Sequence, residues 1–102
     1  MKAELKSKIV ETLRSGRYEQ CVGKLYGGGC ARCVMGVLAE VAGHRITPYG
    51  VQWADGEYNN LALSSSIVDE IGIKDDDYNR LVDMNDSGST FNEIADWIEE
   101  NL

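Results

Sequence analysis

Cys21, Cys30, Cys33 and His44 are the residues of this chain whose types can hold a metal ion or act as nucleophile and base. Zinc takes four such ligands in a tetrahedron, and the two-residue gap in Cys30-x-x-Cys33 lets two sulfurs reach one ion. The other spacings are irregular, so zinc is an expectation carried by residue type more than by pattern. Cys33 also fits a buried helical stripe, where a free cysteine behaves as a small hydrophobe. A thiolate at Cys30 or Cys33 would be favoured by a helix N-terminus and by Arg32. It would still need a base, and His44 is the one histidine. Eleven residues of helix separate Cys33 from His44 by about 16 Å, too far for a dyad.

A second chemistry is anion or small-ligand binding at Gly27, Gly28 and Gly29, with Arg17, Lys24 and Arg32 supplying charge. Glycines that open a helix expose backbone N–H groups beside the positive helix end. The stretch has no Gly-Lys-Ser/Thr ending and no βαβ setting, so it is neither a Walker loop nor a dinucleotide fingerprint. A surface turn explains a glycine run equally well. Asp75, Asp76 and Asp77 lack the alternating spacing of a calcium loop, and a place in the first turn of a helix accounts for them.

The third chemistry is a surface. Gly88 to Ile98 has the rhythm of a turn leading into a DNA-recognition helix. Its outward residues are Asn92, Glu93, Asp96, Glu99 and Glu100, four of which repel phosphate. That removes DNA reading by the C-terminal helices and leaves Glu93, Asp96, Glu99 and Glu100 as candidates for meeting a basic protein partner. The whole chain is lopsided in the same sense. Residues 1–53 hold eight Lys/Arg against four Asp/Glu, and residues 54–102 hold two against thirteen, within a net charge of −7. The asymmetry signals either an interaction face or two halves that neutralise each other.

These side chains must be positioned by short elements in one domain, 1–102. Leu5, Ile9 and Leu13 predict a first helix over Lys2–Ser15, ended by Gly16. Residues 17–29 read as irregular. Val34, Val37, Leu38 and Val41 predict a second helix over Cys30–Ala42, with Gly36 costing about 1 kcal/mol relative to Ala. Asp55-Gly56 between aromatic and β-branched residues predicts a hairpin pairing Val51–Trp53 with Tyr58–Leu61. Three helices follow. One begins after Ser64–Ser66 and ends at Gly72. One begins near Asp75–Asp77, with carboxylates for capping and dipole. The last is capped by Thr90 with Glu93 in capping-box spacing. The expected fold class is α+β, predominantly helical, with about five short helices and one small antiparallel β-hairpin.

Four blocks in order carry a resemblance: Leu13-Arg-Ser-Gly-Arg-Tyr-Glu-Gln, Gly23-Lys-Leu, Cys33-Val-Met-Gly-Val-Leu, and Met84-Asn-Asp-Ser-Gly-Ser-Thr-Phe-Asn-Glu-Ile-Ala-Asp-Trp-Ile. The chain resembles an uncharacterised small-protein family of tailed phages and bacterial prophages. The resemblance implies a phage or prophage origin and brings no activity. It includes a cysteine at Cys33 and none fixed at Cys21 or Cys30, which argues against a site needing all three.

The expectation is then a non-enzymatic interaction or regulatory protein acting through an acidic helical surface on a host or phage protein. The alternative is a small-ligand or anion-binding protein using segment 17–32, and the third is a zinc-stabilised small domain. No cofactor is implied. No membrane association is expected, since no apolar run approaches about 18 residues. The charged N-terminus and odd cysteine count suggest the cytoplasm, that of a bacterial host if phage-encoded. Oligomeric state is not legible.

Overall fold

Val34–Val41 is the most apolar run of the chain, and in the computed structural model, which describes residues 1–102, it forms the helix around which the others gather. The elements in order are α1 (Ala3–Arg14), β1 (Glu19–Gln20), β2 (Tyr26–Gly28), β3 (Ala31–Arg32), α2 (Val34–Val41), β4 (Val51–Gln52), β5 (Tyr58–Asn59), α3 (Ser65–Ile71), α4 (Asp75–Asp86) and α5 (Phe91–Asn101). Every residue of α2 from Val34 to Ala39 is buried. A helix apolar on all sides must be covered on all sides, and α1, α3, α4 and β3 supply the cover. α1 packs most extensively against α5, bringing Ile9, Val10 and Leu13 into one core with Phe91, Ile94 and Ile98. The α+β, mainly helical class is as expected, and so is the β4–β5 hairpin, with Val51 opposite Asn59 and Gln52 opposite Tyr58.

Two expectations are corrected. Segment 17–29 is not irregular: with residues 31–32 it builds a three-stranded sheet in the order β1-β3-β2. β1 runs parallel to β3 and β2 antiparallel to it. Three strands of two or three residues each show no usable alternation, so nothing in their sequence marks them. As a consequence α2 starts at Val34, not at Cys30. Residues 31 and 32 are taken by the sheet, and Cys33 is the extended N-cap residue.

The later helices end as their residues dictate. Ser64 Oγ accepts from Ile67 N–H at 3.4 Å. α3 stops at Gly72 in the left-handed conformation, and Ile73 N–H returns to Val68 C=O. Thr90 and Glu93 close a reciprocal capping box at 3.0 and 3.1 Å. Asp75–Asp77 lie in the first turn of α4, but its N-cap is Lys74 with no side-chain cap bond. Their contribution is therefore to the helix dipole and not to capping.

Gly36 is where α2 meets the sheet. A Cβ there would lie 2.5 Å from the carbonyl oxygen of Leu25. That carbonyl cannot retreat easily. Leu25 N–H is tied to Asn60 C=O at 2.7 Å, and the Asn60 side chain clamps the Tyr26 N–H and C=O at 2.8 and 3.1 Å. Helix propensity alone would have Gly36→Ala stabilise by about 1 kcal/mol. The close approach reverses the sign, and we expect Gly36→Ala to destabilise by about 1–3 kcal/mol in urea unfolding; an unchanged or raised midpoint would show that the two backbones are free to part.

Candidate functional site

The register of α4 places Tyr78, Leu81 and Asn85 on one face, at i, i+3 and i+7. The third of these is an amide in a position where an apolar residue would be expected. Asn85 is 1% exposed. Its Oδ1 accepts from Val34 N–H at 3.1 Å and from Gln20 Nε2 at 2.9 Å. Its Nδ2 donates to Cys21 C=O at 2.8 Å. Cys33, as N-cap of α2, gives no side-chain cap bond, so Asn85 supplies from another helix the acceptor that the start of α2 lacks. The same amide holds the end of β1. No buried side-chain polar atom is left without a partner.

Above this amide lies a cleft of about 70 Å³ between the 22–25 loop and α4. Leu25, Val34 and Met35 lie on its buried side, and Leu61 and Val82 on its flanks. Cys33 and Asn85 contribute polar atoms, and Asp86 and Lys24 stand on opposite walls. Asp86 Oδ1 lies 3.4 Å from Gly23 N–H, linking the two walls. Cys21 follows the Gln20–Arg32 pair of the parallel register, its N–H bonded to Arg32 C=O at 2.9 Å.

Burial pushes the Cys33 thiol up from the ordinary value of 9.0, against the backbone N–H groups of Gly36 and Met35. Burial pushes Cys21 up as well, with Lys24 and Arg32 opposing it. Both are held as neutral thiols at pH 7, the opposite of an activated nucleophile. Cys30 is exposed on the turn between β2 and β3, outside any helix. His44 is half-buried just past α2 and hydrogen-bonded to Glu70. No three His, Cys, Asp or Glu side chains are grouped to hold a metal ion. The zinc expectation on Cys21, Cys30, Cys33 and His44 is thereby corrected: the sheet sets Cys30 on a turn while Cys33 goes into the core.

The basic, glycine-rich candidates are also dispersed. Gly27, Gly28 and Gly29 belong to β2 and its turn and do not open α2, whose first N–H is already taken by Asn85. Gly27 is pressed onto Cys21, with 2.7 Å between its would-be Cβ and the Cys21 Cβ. Arg32 is 8% exposed. Its guanidinium is spent on Glu40 at 2.9 Å and on the carbonyls of Gly29 and Ala31, and it stacks on Tyr26 at 4.6 Å. Tyr18 donates to the same Glu40, and burial followed by that bond pushes its phenol up. Arg32 is thus a structural cation. Lys24 stays on the cleft wall. Arg17 lies over Tyr18 and opens onto a shallow cleft of about 320 Å³ that also includes His44 and Arg45.

The acidic candidates divide. Asp96 and Glu99 are bridged by Arg14 of α1 at 2.5 and 2.8 Å, and Glu93 is engaged in its capping box. Glu100 is exposed and makes no ion pair. The residues that sequence reasoning missed are Leu61, Val82, Asn85 and Asp86. Only Asn85 carried a signal, its polar side chain on a buried stripe.

No family model, curated protein or solved structure matches the chain. No helix is long and apolar enough to cross a membrane.

Asn85→Ala should cost about 2–4 kcal/mol, because it strips partners from the Val34 N–H and the Cys21 C=O. Hydrogen exchange at the Val34 amide should accelerate more than at the Ile94 amide, and equal acceleration would mean a global effect only. The raised thiols also set a pH dependence. Since Cys33 and Cys21 bind their protons more tightly when folded, the stability they contribute is full below the ordinary value of 9.0 and is lost as pH rises through the raised folded values. The urea midpoint should fall above about pH 9, with a shallower fall in Cys33→Ala; identical slopes in the two proteins would sink this account.

Proposed function

We propose that this protein is a non-enzymatic interaction or regulatory protein that binds a basic surface of a host or phage protein through the acidic side formed by α4 and α5. One observation carries this. Residues 54–102 bear thirteen carboxylates against two cations, and only Asp96 and Glu99 of those carboxylates pair with a lysine or arginine of the chain, Glu70 being hydrogen-bonded to His44. Asp75, Asp76, Asp83, Asp86 and Glu100 are exposed and unpaired. Uncompensated like charge destabilises a compact state, and it steers an oppositely charged partner. Burial raises the Cys33 and Cys21 thiols and weighs against activity at those two positions. The phage or prophage origin, and with it action in a bacterial cytoplasm, rests on the resemblance of the Leu13–Gln20 and Met84–Ile98 blocks.

A second reading is supported by the other side of the molecule. Arg17 and Arg45 form no ion pair and face the shallow cleft with Tyr18, His44 and Glu40, whose carboxylate is already engaged by Arg32 and Tyr18, an arrangement that leaves two cations for a small anion. Affinity capture from bacterial lysate, with the wild type beside Asp83→Lys/Glu100→Lys, separates the two. We expect one stoichiometric basic protein, held at about 0.1 M salt, released at about 1 M and lost in the charge-reversed variant. A protein held equally by the variant would refute the acidic-surface reading. A co-purifying small anion, lost in Arg17→Ala/Arg45→Ala, would favour the second.

A further inference from the structure

Leu61 is 76% exposed, and Val22, beside the 23–25 wall of the 70 Å³ cleft, is 55% exposed. Single exposed aliphatics need no explanation. Leu61 differs in position, since it stands on the rim of an apolar cleft whose buried side is made by three core residues, Leu25, Val34 and Met35. A volume of 70 Å³ is roughly that of two waters in the liquid. A recess of this size suits the branched end of one aliphatic side chain. The base of the cleft is fixed by Asn85 and the buried Leu25, Val34 and Met35, while the exposed Lys24 and Leu61 form its rim. On the α4 side the rim is acidic: Asp86 has Asp83 one turn behind it, both exposed and neither ion-paired. Lys24 marks the opposite wall, giving the rim a polarity.

We infer that the cleft between the 22–25 loop, Leu61 and α4 is the anchor point of the basic partner, receiving one Val- or Leu-sized side chain while a flanking lysine or arginine of the same segment meets Asp86 and Asp83. The inference rests on the acidic-surface function proposed above and makes it local. An aliphatic side chain in a small preformed pocket supplies affinity, and the surrounding charge supplies orientation and selection. The occupant is thus a cationic peptide segment with an aliphatic centre, and an acidic or purely polar segment fits neither the floor nor the α4 rim.

Three short synthetic peptides test this with the intact chain: a central leucine flanked by lysines, a central alanine flanked by lysines, and a central leucine flanked by glutamates. Binding is followed by amide chemical shifts in solution. We expect the leucine–lysine peptide to bind about tenfold more tightly than either control, the difference made by burying an aliphatic group and matching its charge. Its shifts should centre on Lys24, Leu61, Val82 and Asp86. Leu61→Ser, at a solvent-facing position, should remove that advantage without unfolding the chain. Asp86→Asn, which keeps an acceptor toward Gly23 N–H, should weaken only the lysine-flanked peptides. Equal binding of the alanine–lysine peptide would overturn the anchor and leave the acidic-surface function standing. Equal binding of the leucine–glutamate peptide would overturn the charge match and count against that function as well. No binding of either lysine peptide at millimolar concentration would overturn both.

Discussion

The buried amide of Asn85 joins parts of the molecule that no backbone ladder joins. α2 begins immediately after a strand, and its N-cap residue is a cysteine that offers its own helix no cap bond. An uncapped start in the centre of a core would leave an N–H without water or partner, at a cost of about 1–3 kcal/mol. Asn85 supplies the acceptor from α4, and with its remaining donor fixes the end of β1 through Cys21. One side chain therefore holds the sheet, the central helix and the acidic helix in register. The cleft above it inherits that rigidity.

The sheet shows a related economy of polar groups. Arg32 is carried into the interior because β3 runs straight into α2, and its charge is answered by Glu40, two carbonyls and two tyrosine rings. Removing either partner of such a pair is expected to cost far more than the pair contributes as a whole. The four arginines of the first half thus fall into three groups: Arg32 is structural, Arg14 is bound to the α5 carboxylates, and Arg17 and Arg45 remain free. Neutralisation between the halves is real where α1 meets α5 and stops there. The carboxylates of α4 form no ion pair, although Arg80 lies one turn from Asp76, Asp77 and Asp83, and with five carboxylates against that one cation the helix keeps its sign.

Much of the helical frame was legible in the sequence. Thr90 and Glu93, Gly72 and Ile73, and the spacing of Leu5, Ile9 and Leu13 are local devices whose partners lie within a few residues, so chain order alone reveals them. The Asp55-Gly56 turn belongs with these. The sheet of residues 19–32 was not legible. Its strands are too short for a period, and their partners are set by a parallel crossing and a bulge that depend on where α2 and α4 sit. Missing the sheet moved the start of α2 by four residues. That shift made a glycine turn look like a helix-opening anion site, and three scattered thiols look like a ligand set.

The sequence by itself determined that five helices form, the Thr90 cap and the Gly72 stop, the hairpin and the excess of negative charge in the second half, because each is a matter of residue type and near-neighbour spacing. Only the tertiary structure decided which charges stay free, which thiols are silenced by burial, and that Leu25, Val34, Leu61 and Asp86, far apart in the chain, meet at one cleft. Those outcomes depend on long-range packing: burial, desolvation and ion pairing are properties of what surrounds a side chain, and those surroundings are drawn from every part of the fold.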